Sequence, residues 1–344
     1  MKDVSELTGG KIAGLGPYTL SSFKRDEEAV FRANPNYWGS KPKVDTIIIR
    51  DFADATTMRL SLQSGELDLA YKTLNPSDIK DLSADPKYTT YVLPSPFIRF
   101  LNFETSESVF KDKRLREAVA ALINRPEIIQ KVFLGQNAPL YSMIPNGMIY
   151  HTDDFKTALG DANLEKASAL LRSAGYSKAK PLSFELWYTP SHYGDTEVSL
   201  AQVLKNDLEA SGMLKVNLKS AEWATYKDQW NKKEMPAFLL GWYPDYVDPD
   251  DYTAAFASTE GSKGEGIYFS NPTWDALFQK EQTNADPKVR EEIFTKIQQM
   301  WIDEVPTVPI YQGNLYVFTK PNVKGVTIGP TLIFNYNQLY FAKQ

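Results

Sequence analysis

The chain has 344 residues, enough for two lobes or one unusually large one. Cysteine is absent and histidine occurs only as His151 and His192, which excludes thiol nucleophiles, disulfides, iron–sulfur clusters, thiolate zinc sites and HExxH helices. With 38 basic against 43 acidic residues and a net charge of −5, the chain has no electrostatic footprint for nucleic acid or anionic lipid. No apolar run approaches the roughly 18 residues of a spanning helix. The opening MKDVSELTGGKIAG lacks the apolar centre of a signal peptide. Aromatic residues, at 13 %, are the remaining lead.

In chain order, the N-terminal part reads mainly as sheet. Pro17-Tyr18-Thr19-Leu20 and Ala29-Val30-Phe31-Arg32 form short strands, followed by the turn Asn34-Pro35-Asn36-Tyr37-Trp38-Gly39. Val44 to Arg50, with its Ile47-Ile48-Ile49 run, reads as a buried strand. A helix follows, with Asp54 as N-cap, Met58 and Leu62 on one face and Gly65 at its end. Glu66 to Leu69 returns to strand-like alternation, and this β-α-β order favours a parallel or mixed sheet.

A strand from Ile98 to Phe103 leads into a helix carrying Leu115, Val119, Leu122 and Ile123. Asn124-Arg125-Pro126-Glu127 is a capping box that restarts a second helix. Residues 135–160 read as a long polar loop. Two helix–strand units come next. Asn163 caps a helix with Leu164, Ala167, Leu171 and Ala174, ahead of the strand Leu182 to Tyr188. A helix with Val198, Ala201, Leu204 and Leu208 precedes the strand Leu214 to Leu218. The last third holds a strand Ala237 to Trp242, an acidic aromatic loop and a Ser/Gly-rich stretch at 258–266 read as flexible. Asp286-Pro287 then caps a long helix with Val289, Ile293, Ile297, Met300 and Trp301 in one stripe, before a strand from Val305 to Phe318. Trp38 and Trp301 read as packing anchors.

Two clusters carry candidate chemistry. The segment from Gly241 to Tyr252 places four carboxylates, three tyrosines and Trp242 directly after a strand, where open α/β sheets bind ligands. Asp245 can accept from a ligand ammonium or hydroxyl while Trp242 and Tyr243 pack on its body, with Tyr246 alongside. Calcium ligation, a glycosidase carboxylate pair and a plain acidic surface loop are the other readings, although the spacing is not that of an EF-hand. The second cluster, Trp187-Tyr188-Thr189-Pro190-Ser191-His192-Tyr193-Gly194-Asp195, also lies between a strand and a helix. His192 there is either a ligand contact or a loop histidine without one. The glycines of 261–266 lack the spacing of a phosphate-binding loop. No resident cofactor or metal is expected.

An ordered series of motifs adds to this reading. Gly16-Pro17-Tyr18, Asn34-Pro35-Asn36-Tyr37-Trp38-Gly39, Asp45-Thr46-Ile47 and Leu62-Gln63-Ser64-Gly65-Glu66-Leu67-Asp68 come first. Phe110 to Val119 and Ala169 to Tyr176 continue it, and Gly241-Trp242, Asp245-Tyr246, Asp248-Pro249, Tyr268 to Pro272 and Val305 to Pro309 complete it. Taken together the series resembles the family 5 extracellular solute-binding proteins of ABC transporters, the dipeptide/oligopeptide-binding type, from residue 14 to the C-terminus.

The resemblance implies an α/β fold of the periplasmic-binding-protein kind, type II or Venus-flytrap, with mixed sheets. Residues 1–100 with 320–344 would make the first lobe and 101–319 the second. Ligand closing the two lobes together stabilises the closed form through contacts the open form lacks. It further implies a non-enzymatic protein that hands oligopeptides to membrane permease subunits. The family aspartate that pairs with a peptide's ammonium falls on Asp245, with wall positions at Trp242 and Tyr243. Trp187, Tyr188, His192, Tyr193, Tyr246 and Asn102 complete the expected ligand set. Where peptide-binding members can carry an arginine for the ligand carboxylate, His192 and Tyr193 stand here, so a dipeptide gripped at both ends is not expected. Another solute such as an oligosaccharide is the alternative ligand. A glycan hydrolase using Asp245, Asp248, Asp250 or Asp251 is the alternative of a different class. Relative to the family, the first lobe is expected to lack its usual N-terminal portion together with any signal or anchor. The implied location is extracytoplasmic, in the periplasm or at the cell surface, with membrane association only through a missing anchor or the permease.

Overall fold

The computed structural model describes residues 14–72, 74–329, 331 and 333–342. They fall into two compact units, one within Met1–Leu93 and Leu315–Gln344, the other Pro94–Asn314.

In the first unit, β1 (Tyr18–Lys24) and β2 (Glu28–Ala33) form a hairpin, and β3 (Thr46–Arg50) extends it in the order β1-β2-β3. Every neighbour pair is antiparallel, with Phe31 opposite Leu20 on one side and Ile47 on the other. Helix α1 (Ala55–Ser64) starts where the Asp54 carboxylate accepts from the Thr57 N–H at 2.8 Å. It ends at Gly65, whose φ of 87° only glycine adopts without strain. β4 (Leu69–Tyr71) and α2 (Pro76–Ala84) follow. The β-α-β order of this region does not form a unit within one sheet. β3 pairs with β2, whereas β4 pairs antiparallel with the end of the long strand Thr307–Thr319, Ala70 opposite Phe318. β3 returns to β2 through the loop of residues 34–45, and β4 finds its partner far along the chain, beyond the reach of periodicity. Met58, Leu62, Ala70, Leu82 and Phe318 form one small core, and Ile47, Val317, Val323 and Phe334 another. Trp38, expected to anchor packing, is instead 82 % exposed. It belongs to neither cluster and, among the described residues, has Tyr37 as its aromatic neighbour, at 5.5 Å.

The second unit begins within β5 (Thr89–Phe103), whose earlier residues belong to the first unit. Next come α3 (Lys113–Leu122), α4 (Arg125–Phe133), the short β6 (Ala138–Pro139), α5 (Asp154–Leu159) and α6 (Leu164–Ser173). Then follow β7 (Leu182–Tyr188), α7 (Thr196–Glu209), β8 (Leu214–Ser220), α8 (Trp223–Asn231) and β9 (Ala237–Trp242). Four helices, α9 (Ala254–Ala257), α10 (Thr259–Gly264), α11 (Pro272–Gln282) and α12 (Pro287–Glu304), precede β10 (Thr307–Thr319), which runs back into the first unit. β11 (Val323–Lys324) and β12 (Tyr340–Phe341) close the chain as a short antiparallel pair.

Strand order in the second unit is β10-β5-β9-β7-β8, with β6 against β10. β7 runs parallel to both β8 and β9, and β5 antiparallel to β9, so the sheet is mixed, as the fold class requires. Its core gathers Phe100, Phe103, Leu186, Leu204, Leu239, Trp274 and Ile297 from both faces. Trp301 is buried in it and donates through Nε1 to the Thr307 carbonyl at 3.1 Å, which makes it the expected anchor. Two loop readings are corrected. Residues 135–160 contain β6 and α5, the latter held by buried Phe155 and Leu159 but too short to show a period. The Ser/Gly stretch contains α10, whose N-cap Ser258 accepts from the Gly261 N–H at 3.0 Å. Capping and close approach outweigh weak propensity here: a Cβ on Gly261 would stand 2.5 Å from the Ala254 carbonyl oxygen.

Candidate functional site

β9 delivers Gly241 and Trp242 to its C-terminal end, and the chain then turns through Tyr243 to Val247 before a 3₁₀ turn at Pro249–Tyr252. This loop is tied down residue by residue. The Asp248 carboxylate caps the turn, accepting from the Asp250 N–H at 3.0 Å, and is clamped by Arg290 of α12 through two bonds of 2.8 and 2.6 Å. Arg290 also reaches Glu281 of α11 at 2.8 Å. Burial works against ionisation of Asp248, but the Arg290 bonds hold its carboxyl below the ordinary value. Asp250 accepts from the Tyr246 hydroxyl at 2.7 Å and from Gln282 at 3.1 Å. Asp251 accepts from the Trp242 indole at 2.9 Å, and burial pushes its carboxyl up to about 6. Tyr252 anchors the end of the loop through the Pro96 carbonyl at 2.9 Å.

Of the four loop carboxylates, Asp245 is therefore the one left available. It is exposed, and no hydrogen-bond or ion-pair partner for its carboxylate occurs among the described residues. Tyr243 and Tyr246 beside it are each about half exposed, at 48 % and 49 %. Tyr243 stacks on Phe97 with ring centroids 4.4 Å apart, so its outer surface forms an aromatic shelf next to Asp245.

The second cluster reaches the same place. Tyr193 donates from its hydroxyl to the Gly241 carbonyl at 3.3 Å, and its ring lies 6.3 Å from Phe97. His192 stacks on Trp223 at 3.8 Å with the ring planes nearly parallel at 4°, and meets Tyr193 edge-on at 4.7 Å. Burial first, then the positive charges of Arg99 and Lys227, lowers the His192 pKa, which favours the neutral ring at pH 7. Glycine at 241 is what permits this convergence: a Cβ there would stand 2.7 Å from Phe97, 2.9 Å from Arg99 and 2.9 Å from Tyr193.

Not every expected residue belongs here. Asn102 is fully buried in β5, opposite Phe238 of β9, and donates to the Glu265 carbonyl at 3.3 Å, so it is corrected to a core position. Trp187 bonds Glu185 at 3.0 Å and, like Tyr188, packs half-buried against the core. The residues that sequence reading missed are Phe97, Arg99, Glu197 and Arg290. Arg99 and Glu197 are both fully buried and ion-paired, and the Arg99 guanidinium lies 3.9 Å from the Tyr193 ring centre. Burial pushes the Glu197 carboxyl up against the pull of Arg99. A lone Arg within an apolar strand was the available signal.

Solved structures share this fold. The dipeptide-binding protein of Pseudoalteromonas sp. SM9913, crystallised with Met-Leu, superposes with a TM-score of 0.84 over 95 % of this chain and 64 % of its own, at 23 % identity. The family model for bacterial extracellular solute-binding proteins, family 5 (middle), matches residues 1–264, and the chain belongs to that family. Among curated relatives, the dipeptide-binding protein of Escherichia coli K12 is 26 % identical over 322 residues, 92 % of this chain and 59 % of the relative. The heme-binding protein A of Haemophilus influenzae is 24 % identical over 336 residues, 97 % of this chain and 60 % of the relative. The chain thus spans about three fifths of the length of the curated relatives it matches. Among the described residues no helix is long and apolar enough to cross a membrane.

Proposed function

We propose that this chain supplies the ligand-binding surface of an ABC importer's substrate-binding component, takes up oligopeptides outside the cytoplasm and presents them to permease subunits. The observation that carries this reading is Asp245: an exposed carboxylate without a partner, on a loop whose neighbouring acids are all engaged. It is placed to pair with a peptide's terminal ammonium, while the Tyr243 shelf takes the adjoining apolar body. Membership of a binding-protein family and relatives named for dipeptides support the same reading. The two compact units are read as its two lobes. Binding without catalysis fits the loop better than a glycan hydrolase does, because Asp248, Asp250 and Asp251 are each held by another side chain.

A thermal-shift screen against peptide and oligosaccharide libraries tests the proposal, since a ligand that binds only the native state raises the unfolding temperature. Peptides of two or more residues are expected to raise it at millimolar concentration. A rise with oligosaccharides alone, or with no solute, would contradict the peptide reading.

A further inference from the structure

Beneath the Asp245 loop lies a charged pair that no hydrophobic core needs. Arg99 on β5 and Glu197 on α7 are both entirely inaccessible and contact each other through Nη2 and Oε2. Arg99 Nε and Nη1 and Glu197 Oε1 have no hydrogen-bond partner among the described residues. Burying two charges with donors unfilled is costly, and well-packed apolar replacements at such sites are often neutral or stabilising. Packing stability alone is therefore a poor reason for the pair. Its surroundings offer a better one.

The guanidinium face lies 3.9 Å from the centre of the Tyr193 ring. Tyr193 in turn bonds the Gly241 carbonyl, and Phe97, against which Tyr243 stacks, sits over Gly241 and Gly313. A Cβ on Gly241 would meet Phe97, Arg99 and Tyr193 at once, so these groups occupy one continuous layer. That layer joins β5, the loop before α7, and the exit of β9. The exit of β9 carries the ligand surface proposed above, and the other two elements pack against it.

We propose that the Arg99–Glu197 pair is a positioning device: it fixes Tyr193 and, through the packed Phe97, the Tyr243 shelf, and so sets selectivity for peptides that rest a large apolar side chain on that shelf. Capture of the ammonium at Asp245 is independent of it. This inference rests on the peptide-binding reading, and its test has one readout that does not.

The test compares wild type with R99M/E197M, which removes both charges and keeps side-chain bulk. R99K is the second variant: it keeps the ion pair but removes the planar face that stacks on Tyr193. Calorimetry with Phe-Ala-Ala, Ala-Phe-Ala and Ala-Ala-Ala is expected to show the better phenylalanine peptide losing about tenfold or more in both variants. Ala-Ala-Ala should stay within about threefold, and the unfolding temperature of R99M/E197M should hold or rise. Equal losses for all three peptides, or none, would overturn the proposal. In parallel, ring-labelled tyrosine NMR of the unliganded proteins should show the Tyr193 and Tyr243 signals sharp in wild type and shifted or broadened in both variants. If wild type binds no peptide, the peptide reading fails while this second readout still judges the pair. Unchanged ring signals overturn it.

Discussion

Glu265, at the end of α10, shows how one partly buried acid writes itself into the stability of this protein. Its backbone carbonyl accepts from Asn102, and burial alone raises its carboxyl from 4.5 to about 7. A raised folded-state pKa means that the native state holds the proton more tightly than the unfolded chain. The stabilisation is then fully present below pH 4.5 and is lost as pH climbs through about 7. Glu265→Gln should therefore be neutral at pH 4 and more stable than wild type at pH 8, by roughly 1–3 kcal/mol. Urea unfolding at the two pH values checks this, and parallel curves at both would refute the assignment. Legibility at this scale depends on exposure. The loop that holds Asp245 stands out because polar and aromatic residues crowd it directly after a strand. Asn102 was expected to face ligand and does not, because β5 is buried on both faces from Ile98 to Phe103, which its sequence does not reveal. Arg99 and Glu197, 98 positions apart, meet only through the fold.

Gly241 shows the element scale. β9 can end against Phe97, Arg99 and Tyr193 because it has no side chain there to displace them. Gly241→Ala pushes a methyl group to within 2.7 Å of Phe97, an overpacking that should cost about 1–3 kcal/mol and disturb the Tyr243 shelf. Denaturant melts combined with peptide titration check it: a variant with native stability and native affinity would show that the layer yields easily. The clamp on the following loop predicts a second effect. Arg290→Met leaves Asp248 without its two charge-assisted bonds and frees the turn that aims Asp245, so affinity should fall at least threefold while α11 and α12 remain folded by circular dichroism. Unchanged affinity would make the clamp irrelevant to the site. Among the elements, α1, α4 and α12 were legible because Asp54, Asn124 and Asp286 cap them through their side chains. α8 escaped reading because its buried face consists of Tyr226 and Trp230 amid polar residues, which gives little hydrophobic period. α5 and α10 escaped because a six-residue helix spans less than two turns.

For the whole molecule, local pattern settled the class more readily than the topology. Alternating helices and strands pointed to α/β architecture, and the second unit is a mixed sheet flanked by helices. The pairing of β4 with β10 escaped the reading, since Ala70 and Phe318 come together only when both strands are laid side by side. A stretch of 344 residues that spans three fifths of its curated relatives nonetheless contains the whole Asp245 loop, its Arg290 clamp and the aromatic layer beneath it. The proposed function requires that this surface recognise a peptide ammonium. The most direct measurement is calorimetric titration of wild type and Asp245→Asn with one tripeptide, Ala-Phe-Ala, in free and N-acetylated forms. Loss of a charge-assisted contact predicts that the substitution weakens the free peptide about tenfold or more and leaves the already weaker acetylated form nearly unchanged. Equal affinities of wild type and variant for the free peptide, or equal losses for both forms, would contradict it.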